Sequence, residues 1–302
     1  MKRLVWSYGI GIVAIVAVLS FFFMMKGQTE KAVVSGNVPK AHAQGERVKQ
    51  PISQFQAVQP HEAGNEVKNV KNNMPEKADP PSFLVYIDPG HQSQANLEKE
   101  PIGPGSAETK IKVSGGTSGV VTKKPEYKLT LEASMILKQL LEEKGITVKL
   151  TRSSDNVDIS NRERAELANN SKADLHVRIH ADGSENTSVK GFSVLTPAED
   201  NSYTKSIYQS SLQASQAILT EVKKDQFVEV DGIRYRSDLS GFNWSTVPVT
   251  LVELGYMTNP EEDRNLSDQA YLTKLMNHVA DGIVAYEEMK KKRVKRPIKT
   301  CD

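Results

Sequence analysis

The sequence predicts an α/β fold, with a mostly parallel open sheet that helices cover on both faces. The first observation is that strand-like apolar runs alternate with segments of helical periodicity from Ser82 onward, which is typical of such a sheet. The second is the run FLVYIDPGH at 83–91, which is apolar until its end, as expected of a strand buried on both faces. We therefore predict a single domain over residues 83–289.

The elements follow in order along this domain. Strands are predicted at about 83–88, 146–151, 174–180, 190–196 and 247–254. The first helix is predicted from Leu129, Leu137 and other apolar residues at helical spacing, and it ends before Gly145, since glycine favours the position after a helix. Further helices are predicted at about 160–170, 203–222 and 263–289. In such a sheet, the carboxyl ends of parallel strands lie at one edge, where ligands bind.

The N-terminus carries a segment of another kind. Residues 2 and 3 are basic and precede an apolar run over 4–25, which is long enough to span a membrane. We predict that residues 1–26 are a retained membrane anchor or, as the alternative, a cleaved signal. The anchor is favoured because the cleavage-like triplet AHA at 41–43 lies far beyond the apolar run. The basic residues place the rest of the chain on the extracytoplasmic side, and the domain is secreted if the segment is cleaved.

Two polar segments flank the predicted domain. Residues 27–82 show no sustained apolar period and cannot bury enough surface to fold, so they are predicted to be a flexible linker. Residues 290–302 form a basic tail, and without its seven lysines and arginines the net charge of +2 becomes negative. The domain itself is therefore not expected to bind nucleic acid. The single cysteine, Cys301, leaves no partner for an intrachain disulfide.

Side chains that can bind metals or transfer protons lie at three predicted strand ends. His91 follows the turn sequence DPG, His180 ends the strand at 174–180, and Glu253 lies near the end of the last strand. Glu126 points at the same edge if the first helix begins there. Two imidazoles and a carboxylate with one open position are a common catalytic zinc set.

Each of these residues also has a purely structural interpretation. A histidine at a strand end is more often a hydrogen-bonding residue than a ligand, and Glu126 alone is a favourable charge at a helix N-terminus. Glu253 is harder to explain in that way, because it interrupts an apolar strand where an unpaired carboxylate is costly. His176 lies four residues before His180, roughly 13 Å away along a strand, and is expected to be structural.

These pieces occur in an order that resembles one known family. The sequence DPGH at 88–91, a glutamate opening a leucine-rich helix, and the runs ADLHVRIHADG at 173–183 and VPVTLVELGYMTNPEED at 247–263 are similar to the zinc-dependent N-acetylmuramoyl-L-alanine amidases of the type 3 family. The resemblance covers about 83–286. It implies that residues 83–289 are a zinc amidase catalytic domain. It further implies one zinc ion per chain, with Glu253 as the catalytic carboxylate and the ligands His91, Glu126 and His180.

The implied substrate is bacterial peptidoglycan, at the amide bond that joins the lactyl group of N-acetylmuramic acid to L-alanine. Zinc with an open position would activate a water, and Glu253 would take its proton and deliver it to the leaving nitrogen. Two alternatives stay open: a membrane-tethered wall-binding protein with an idle site, and a zinc peptidoglycan endopeptidase or deacetylase. The N-terminal segment places this activity on the cell wall side of the membrane, with residues 1–26 in the membrane if they are retained.

Several parts of the chain bear on how such a site would be used. The segment between His91 and Glu126 is longer than usual in the family and rich in glycine and serine, which fits a loop over the substrate groove and, equally, a passive insertion. Asp182 stands where many relatives carry asparagine. The segment 197–246 is too short for the autoinhibitory helix that some relatives carry. Two interpretations of the basic tail are equally compatible with its sequence: it contacts anionic wall polymers or lipid head groups, or it is a solvated run of charges.

Overall fold

The computed structural model describes residues 83–294, which belong to one compact unit of the chain, Asn72–Asp302. The predicted anchor at 1–26, the predicted linker at 27–82 and most of the basic tail lie outside the described residues, so these predictions stay predictions. Among the helices of residues 83–294, none is both long and apolar enough to cross a membrane.

Strands and helices alternate along most of the described chain, as the sequence predicts. In chain order they are β1 (Leu84–Pro89), β2 (Asn96–Pro101), β3 (Thr109–Val113), α1 (Glu126–Glu143), β4 (Thr147–Leu150), α2 (Asn161–Asn170), β5 (Leu175–Asp182), β6 (Phe192–Pro197), α3 (Tyr208–Val222), β7 (Val230–Arg236), α4 (Ser240–Asn243), β8 (Val249–Tyr256), α5 (Pro260–Ser267) and α6 (Gln269–Val294).

Six of the strands form one sheet in the order β4, β1, β5, β8, β6 and β7. The four strands β4, β1, β5 and β8 run parallel, β6 is antiparallel to β8, and β7 is parallel to β6. The predicted mostly parallel sheet is confirmed. The carboxyl ends of β1, β5 and β8 are neighbours at one edge of this sheet, and it is this edge that carries the site.

Helices pack on both faces of the sheet, as predicted. On one face, Val85 of β1 belongs to a core that includes Leu137 of α1 and Ile218 of α3. On the other face, Tyr86 packs with Ala168 of α2. Successive residues of a strand point to opposite faces, which is why Val85 and Tyr86 belong to different clusters. The strand β1 is therefore buried on both sides, and its end is held rigidly.

One helix was predicted at 263–289, and the structure has two, α5 and α6. The side chain of Asn259 caps α5 by accepting a hydrogen bond from the N–H of Glu261 at 3.0 Å. Asp268 separates the two helices, and its side chain accepts a hydrogen bond from the N–H of Tyr271 at 2.8 Å. The Asn259 cap begins α5 and the Asp268 cap begins α6, so two helices form where the apolar pattern predicted one.

Three strands were not predicted from the sequence. β2 and β3 pair antiparallel as a hairpin within the long segment between His91 and Glu126. β2 has the sequence NLEKEP, with three of its six residues exposed and a single apolar residue of strand type, Leu97, so it lacks an apolar signal. β7 lies at the edge of the main sheet, and each of its residues is exposed or half-buried. Strands that bury little surface leave a weak pattern in a sequence.

Candidate metal centre

All four predicted site residues lie at the same edge of the main sheet. His91 comes two residues after the end of β1, and His180 lies in the neighbouring strand β5. Glu253 of β8 stands directly opposite His180 in the strand register. Glu126 is the first residue of α1 and is buried against the two histidines. The strand order thus brings together residues that are up to 162 positions apart in the chain.

The ligand-type atoms of His91, Glu126 and His180 lie close together. His91 Nε2 is 3.0 Å from Glu126 Oε1, His180 Nδ1 is 3.1 Å from the same oxygen, and the two nitrogens are 3.1 Å apart. Ligand atoms that bind one zinc ion in a tetrahedral site are about 3.3 Å apart. The cluster therefore fits such an ion with shifts of a few tenths of an ångström. Within residues 83–294 no other group of three or more histidine, cysteine or acidic residues has this arrangement.

The protonation states of the cluster favour metal binding. Burial by itself would raise the pKa of Glu126, but hydrogen bonds with His180 and His91 hold this pKa below its usual range, so the carboxylate is ionised. Burial lowers the pKa of His180 to about 4, so its ring is neutral at neutral pH. Ionised carboxylates and neutral imidazoles are the forms that bind metals.

Backbone groups around the cluster orient its side chains. Nδ1 of His91 lies 2.9 Å from the carbonyl oxygen of Ser114. Because a carbonyl only accepts hydrogen bonds, Nδ1 carries the proton and Nε2 keeps the lone pair that faces the cluster. The N–H of Thr117 donates to Glu126 Oε2 at 2.9 Å. Contacts of this kind fix the tautomer and the direction of metal ligands.

Two glycines make the close packing of the cluster possible. A Cβ atom at Gly90 would overlap the ring of His180, and one at Gly116 would lie 2.7 Å from Glu126 Oε2. Gly116 also has a φ of 75°, which disfavours other residues. His91 itself has a φ of 59°, an uncommon conformation for a residue other than glycine. Strained backbone of this kind is frequent at functional sites.

The segment 114–122, here called the cluster loop, connects the side chains of the cluster to α5. Its first residues make the two backbone contacts just described. Its other end is held by Asp263 of α5, whose Oδ2 accepts hydrogen bonds from the N–H groups of Val121 at 2.6 Å and Thr122 at 2.8 Å. The Thr122 hydroxyl donates to Oδ1 at 2.6 Å. Part of the long segment that the sequence left open is therefore packed against the cluster.

Glu253 is a half-buried carboxyl group beside the cluster. Its Oε2 is buried and makes no hydrogen bond within residues 83–294. Burial raises the pKa of Glu253 well above its usual value, and the negative charges of Glu126 and Asp182 raise it further, against the opposite effect of Arg234 and Arg236. A carboxyl group with a raised pKa in a cleft is typical of a group that accepts and returns a proton.

Three other residues from the site motifs have separate roles. His176 is fully buried and neither ring nitrogen has a hydrogen-bond partner within residues 83–294, as expected of a residue outside the cluster. Arg178 pairs with Asp88, with its Nε 2.8 Å from Oδ2. Asp182 accepts a hydrogen bond from Arg234 Nη1 at 3.0 Å. The aspartate at position 182 thus holds an arginine of β7 and does not belong to the cluster of His91, Glu126 and His180.

Two supporting carboxylates were not predicted. Asp88 is fully buried and pairs with Arg164 at 2.7 Å as well as with Arg178. A signal for it was present, since Asp88 interrupts an apolar strand in the same way as Glu253. Asp263 gave no such signal, because acidic residues are common in the first turn of any helix.

Two clefts open from the cluster, and His91, His180 and Glu253 line both. The first, called the hairpin cleft, has a volume of about 320 Å³ and lies between β3 and the segment 236–241. The second, called the loop cleft, has a volume of about 570 Å³ and lies between the cluster loop and the segment 182–185. A substrate whose reacting bond lies at the cluster can therefore place one part in each cleft.

Comparison with known proteins points to one family. The sequence model of the family described as N-acetylmuramoyl-L-alanine amidase matches residues 85–285, a range that contains all four site residues. N-acetylmuramoyl-L-alanine amidase Rv3717 of Mycobacterium tuberculosis is 31% identical over 215 residues, which cover 68% of this chain and 86% of Rv3717. The probable cell wall amidase LytH of Staphylococcus aureus is 24% identical over 218 residues, which cover 72% of this chain and 62% of LytH.

Solved structures show the same fold. The N-acetylmuramyl-L-alanine amidase Ami1 of Mycobacterium smegmatis has a TM-score of 0.60 and 26% identity, over 68% of this chain and 97% of Ami1. Ami1 of Mycobacterium abscessus has a TM-score of 0.60 and 28% identity, over 68% of this chain and 98% of that protein. The similarity thus extends over nearly the whole length of both structures.

Proposed function

The chain belongs to the N-acetylmuramoyl-L-alanine amidase family of peptidoglycan hydrolases, and we propose that it uses a single zinc ion to cleave one amide bond of peptidoglycan. The bond joins the lactyl group of N-acetylmuramic acid to L-alanine. We assign the ion to His91, Glu126 and His180 and the role of catalytic carboxylate to Glu253. The observation that carries this assignment is the meeting of three ligand-type atoms within 3.1 Å of one another beside a half-buried carboxyl group.

The donor set supports zinc as the metal. Two imidazole nitrogens and one carboxylate oxygen are a ligand set of catalytic zinc sites, which keep one position open. Zinc bound there would bring the pKa of a water to about 7 and polarise the amide carbonyl. The two clefts give a substrate access to this position from both sides.

Glu253 supplies the proton transfer in this proposal. As the attacking water adds to the lactyl carbonyl carbon, the Glu253 carboxylate takes its proton, and the raised pKa of this group lets it hold the proton. The proton then passes to the nitrogen of L-alanine as the C–N bond breaks. The products are a carboxylic acid on the lactyl group and a peptide with a free amino terminus. The Ser114 carbonyl keeps His91 in the required tautomer throughout.

We also propose that the catalytic domain acts on the outer side of the membrane, carried by the anchor at 1–26 and the linker at 27–82. The apolar run at 4–25 and the position of the substrate outside the membrane support this location. Cell fractionation tests it: the full-length chain should be extracted from membranes by detergent and not by salt. A soluble form with a new N-terminus would show that the segment is cleaved instead.

The amidase assignment is tested by mass spectrometry of purified peptidoglycan after incubation with the full-length chain and zinc. We expect released stem peptides with free L-alanine amino termini. Glu253→Gln should lower the rate at least about a hundredfold because the proton acceptor is lost, and it should still bind zinc. Glu132→Gln is the matched control, since Glu132 is exposed on α1 away from the cluster. Treatment with a chelator should abolish release.

Other products would identify other functions. Cuts within the stem peptide would make the chain an endopeptidase, and release of acetate would make it a deacetylase. Binding to peptidoglycan with no cleavage of any bond would indicate a wall-binding protein with an idle site. Full activity of Glu253→Gln would leave the amidase assignment intact and remove Glu253 from the mechanism.

A further inference from the structure

The two clefts that meet at the cluster differ in charge. The hairpin cleft is lined by three cations and, apart from Glu253, by one carboxylate: Lys110, Arg178, Arg236 and Asp238. The loop cleft has acidic residues on its walls and, among the described residues that line it, no lysine or arginine: Glu126, Asp182, Glu185 and Glu253. Glu253 lines both clefts and Asp182 is paired with Arg234, so the difference between the clefts lies in the cations of the hairpin cleft. An anion is therefore attracted more strongly to the hairpin cleft than to the loop cleft.

Two of the cations in the hairpin cleft share a single carboxylate. Lys110 Nζ lies 2.9 Å from Asp238 Oδ2, and Arg236 reaches Asp238 with Nε at 2.7 Å and Nη2 at 2.9 Å. Because one negative charge lies between two positive charges, Lys110, Arg236 and Asp238 together leave the cleft with a net positive charge at this point. Nη1 of Arg236 makes no hydrogen bond within residues 83–294. Since both cations are partly exposed, they can donate to a ligand in the cleft.

Arg178 adds a buried positive charge at the bottom of the same cleft. Its side chain is only 4% exposed, and it pairs with Asp88, which also pairs with Arg164. One carboxylate facing two guanidinium groups again leaves an excess of positive charge. A Cβ atom at Gly241 would overlap Nη1 of Arg178, so glycine at this position leaves room for the cation at the cleft wall.

The substrate of the proposed reaction has a matching asymmetry. On one side of the scissile amide lies a sugar chain whose hydroxyl and acetamido groups are uncharged, and on the other lies a peptide that carries ionised carboxylates. We propose that the hairpin cleft is the peptide subsite and that Arg236 and Lys110 bind a carboxylate of the stem peptide. The sugar then occupies the loop cleft. Hydrogen bonds between cations and carboxylates are among the strongest in proteins, so this contact would set substrate preference. This inference rests on the proposed function, because it concerns the same bond.

A binding experiment tests the subsite without catalysis. The full-length chain is titrated by calorimetry with L-alanyl-D-glutamic acid and with L-alanyl-D-isoglutamine, both blocked as methylamides at the distal carboxyl group. The two dipeptides then differ in a single carboxylate. We expect at least about tenfold tighter binding of the acid, and a loss of this difference at high salt. Equal binding of both dipeptides, or binding of neither, would overturn the subsite.

Variants locate the effect within the cleft. Arg236→Gln and Lys110→Gln should each reduce the preference for the acid about tenfold, while binding of the isoglutamine dipeptide, which lacks this carboxylate, stays the same. Lys112→Gln is the matched control, because Lys112 lies on the same strand and pairs with Glu98 outside the cleft. A preference for the acid that survives in both cleft variants would contradict the assignment to these two residues.

The same comparison during catalysis separates this inference from the proposed function. The muramoyl derivatives of the two dipeptides serve as substrates for the zinc-loaded chain. We expect kcat/KM about tenfold higher for the acid, with the difference removed in Arg236→Gln. Cleavage of both substrates at equal rates would overturn the subsite and leave the amidase function standing. Preferential binding of the acid without cleavage of either substrate would support the subsite and overturn the amidase function.

Discussion

His176 is a buried titratable residue that the metal cluster does not use. Burial lowers its pKa to about 4, against an ordinary value of 6.5; the negative charge of Asp88 opposes this shift, and the positive charges of Arg178 and Arg164 add to it. Between pH 6.5 and 4 the unfolded chain therefore binds a proton here that the folded chain does not. The stability contribution is complete above pH 6.5 and is lost as the pH falls toward 4, with a total of about 3 kcal/mol.

Replacing His176 by leucine should flatten this pH dependence. Without a titratable ring, His176→Leu should lose less stability than the unsubstituted chain between pH 7 and pH 4.5, by about 2 to 3 kcal/mol. Urea unfolding of the metal-free full-length chain at several pH values measures the difference. His180 remains in both proteins, so its own titration cancels. Parallel stability profiles for the two proteins would show that His176 does not titrate in this range.

Single residues also show what a sequence reveals about a site and what it does not. His91, His180 and Glu253 could be predicted because their side chains stand at strand ends or interrupt an apolar run. Ser114 could not, because it acts through its backbone carbonyl, which any residue possesses. Gly116 is recognised as necessary only when the ligands it packs against are located in space. Groups that act through the backbone or through close packing leave no pattern of residue types.

At the level of elements, the cluster loop links the position of α5 to the positions of His91 and Glu126. Asp263 holds one end of this loop by three hydrogen bonds, and the other end orients His91 and Glu126. Asp263→Ala should free the loop and lower zinc affinity by about 10- to 100-fold, as loss of an outer contact does in other metal sites. Competition with a chromophoric chelator measures this affinity independently of activity.

A neighbouring residue provides the control for this prediction. Glu261 lies in the same first turn of α5 but is exposed, so Glu261→Ala should leave zinc affinity unchanged. Equal affinities for Asp263→Ala and the unsubstituted chain would show that the loop keeps its position without the carboxylate. In that case, the contacts of Ser114 and Thr117 with the ligands would suffice to order the loop.

Gly282 sets how closely α3 and α6 approach. A Cβ atom at this position would overlap Cα of Ile218 and lie 2.9 Å from its nitrogen, and backbone atoms cannot move aside as a flexible side chain can. Gly282→Ala should therefore lower the free energy of unfolding by about 1 to 3 kcal/mol, even though alanine is favoured over glycine in helices by about 1 kcal/mol. Urea unfolding measures the change. As the control, Asp281→Ala at the exposed neighbouring position should change the free energy of unfolding by less than about 1 kcal/mol. A Gly282→Ala variant more stable than the unsubstituted chain would show that the helices can move apart.

The same elements show where pattern reasoning stops. Buried strands and amphipathic helices were predictable because their apolar residues recur at fixed intervals. The hairpin of β2 and β3 was not, since few of its residues are fully buried and its position depends on tertiary contacts such as the pair of Lys110 with Asp238. That hairpin forms one wall of the hairpin cleft. The part of the site that selects substrate was therefore less predictable than the part that performs the reaction.

At the scale of the whole domain, binding of a metal ion at the cluster is expected to stabilise the fold. The proposed ligands come from the end of β1, from β5 and from the start of α1, so an ion that binds all three would hold these elements together. An ion that binds only the folded chain raises its stability by mass action. At a hundredfold excess over its dissociation constant, zinc should add about 2.7 kcal/mol. For a domain of this size, that corresponds to a rise in Tm of roughly 5 to 10 °C.

Thermal unfolding of variants with and without zinc distinguishes ligands from the catalytic group. His91→Asn should abolish most of the rise in Tm, and asparagine is chosen because it tolerates the positive φ of this position. Glu253→Gln should keep the full rise, because Glu253 lies beside the cluster and does not belong to it. A full response in His91→Asn would place the ion elsewhere on the chain. Loss of the response in Glu253→Gln would make Glu253 a fourth ligand, and the position assigned to the attacking water would then be filled by the protein.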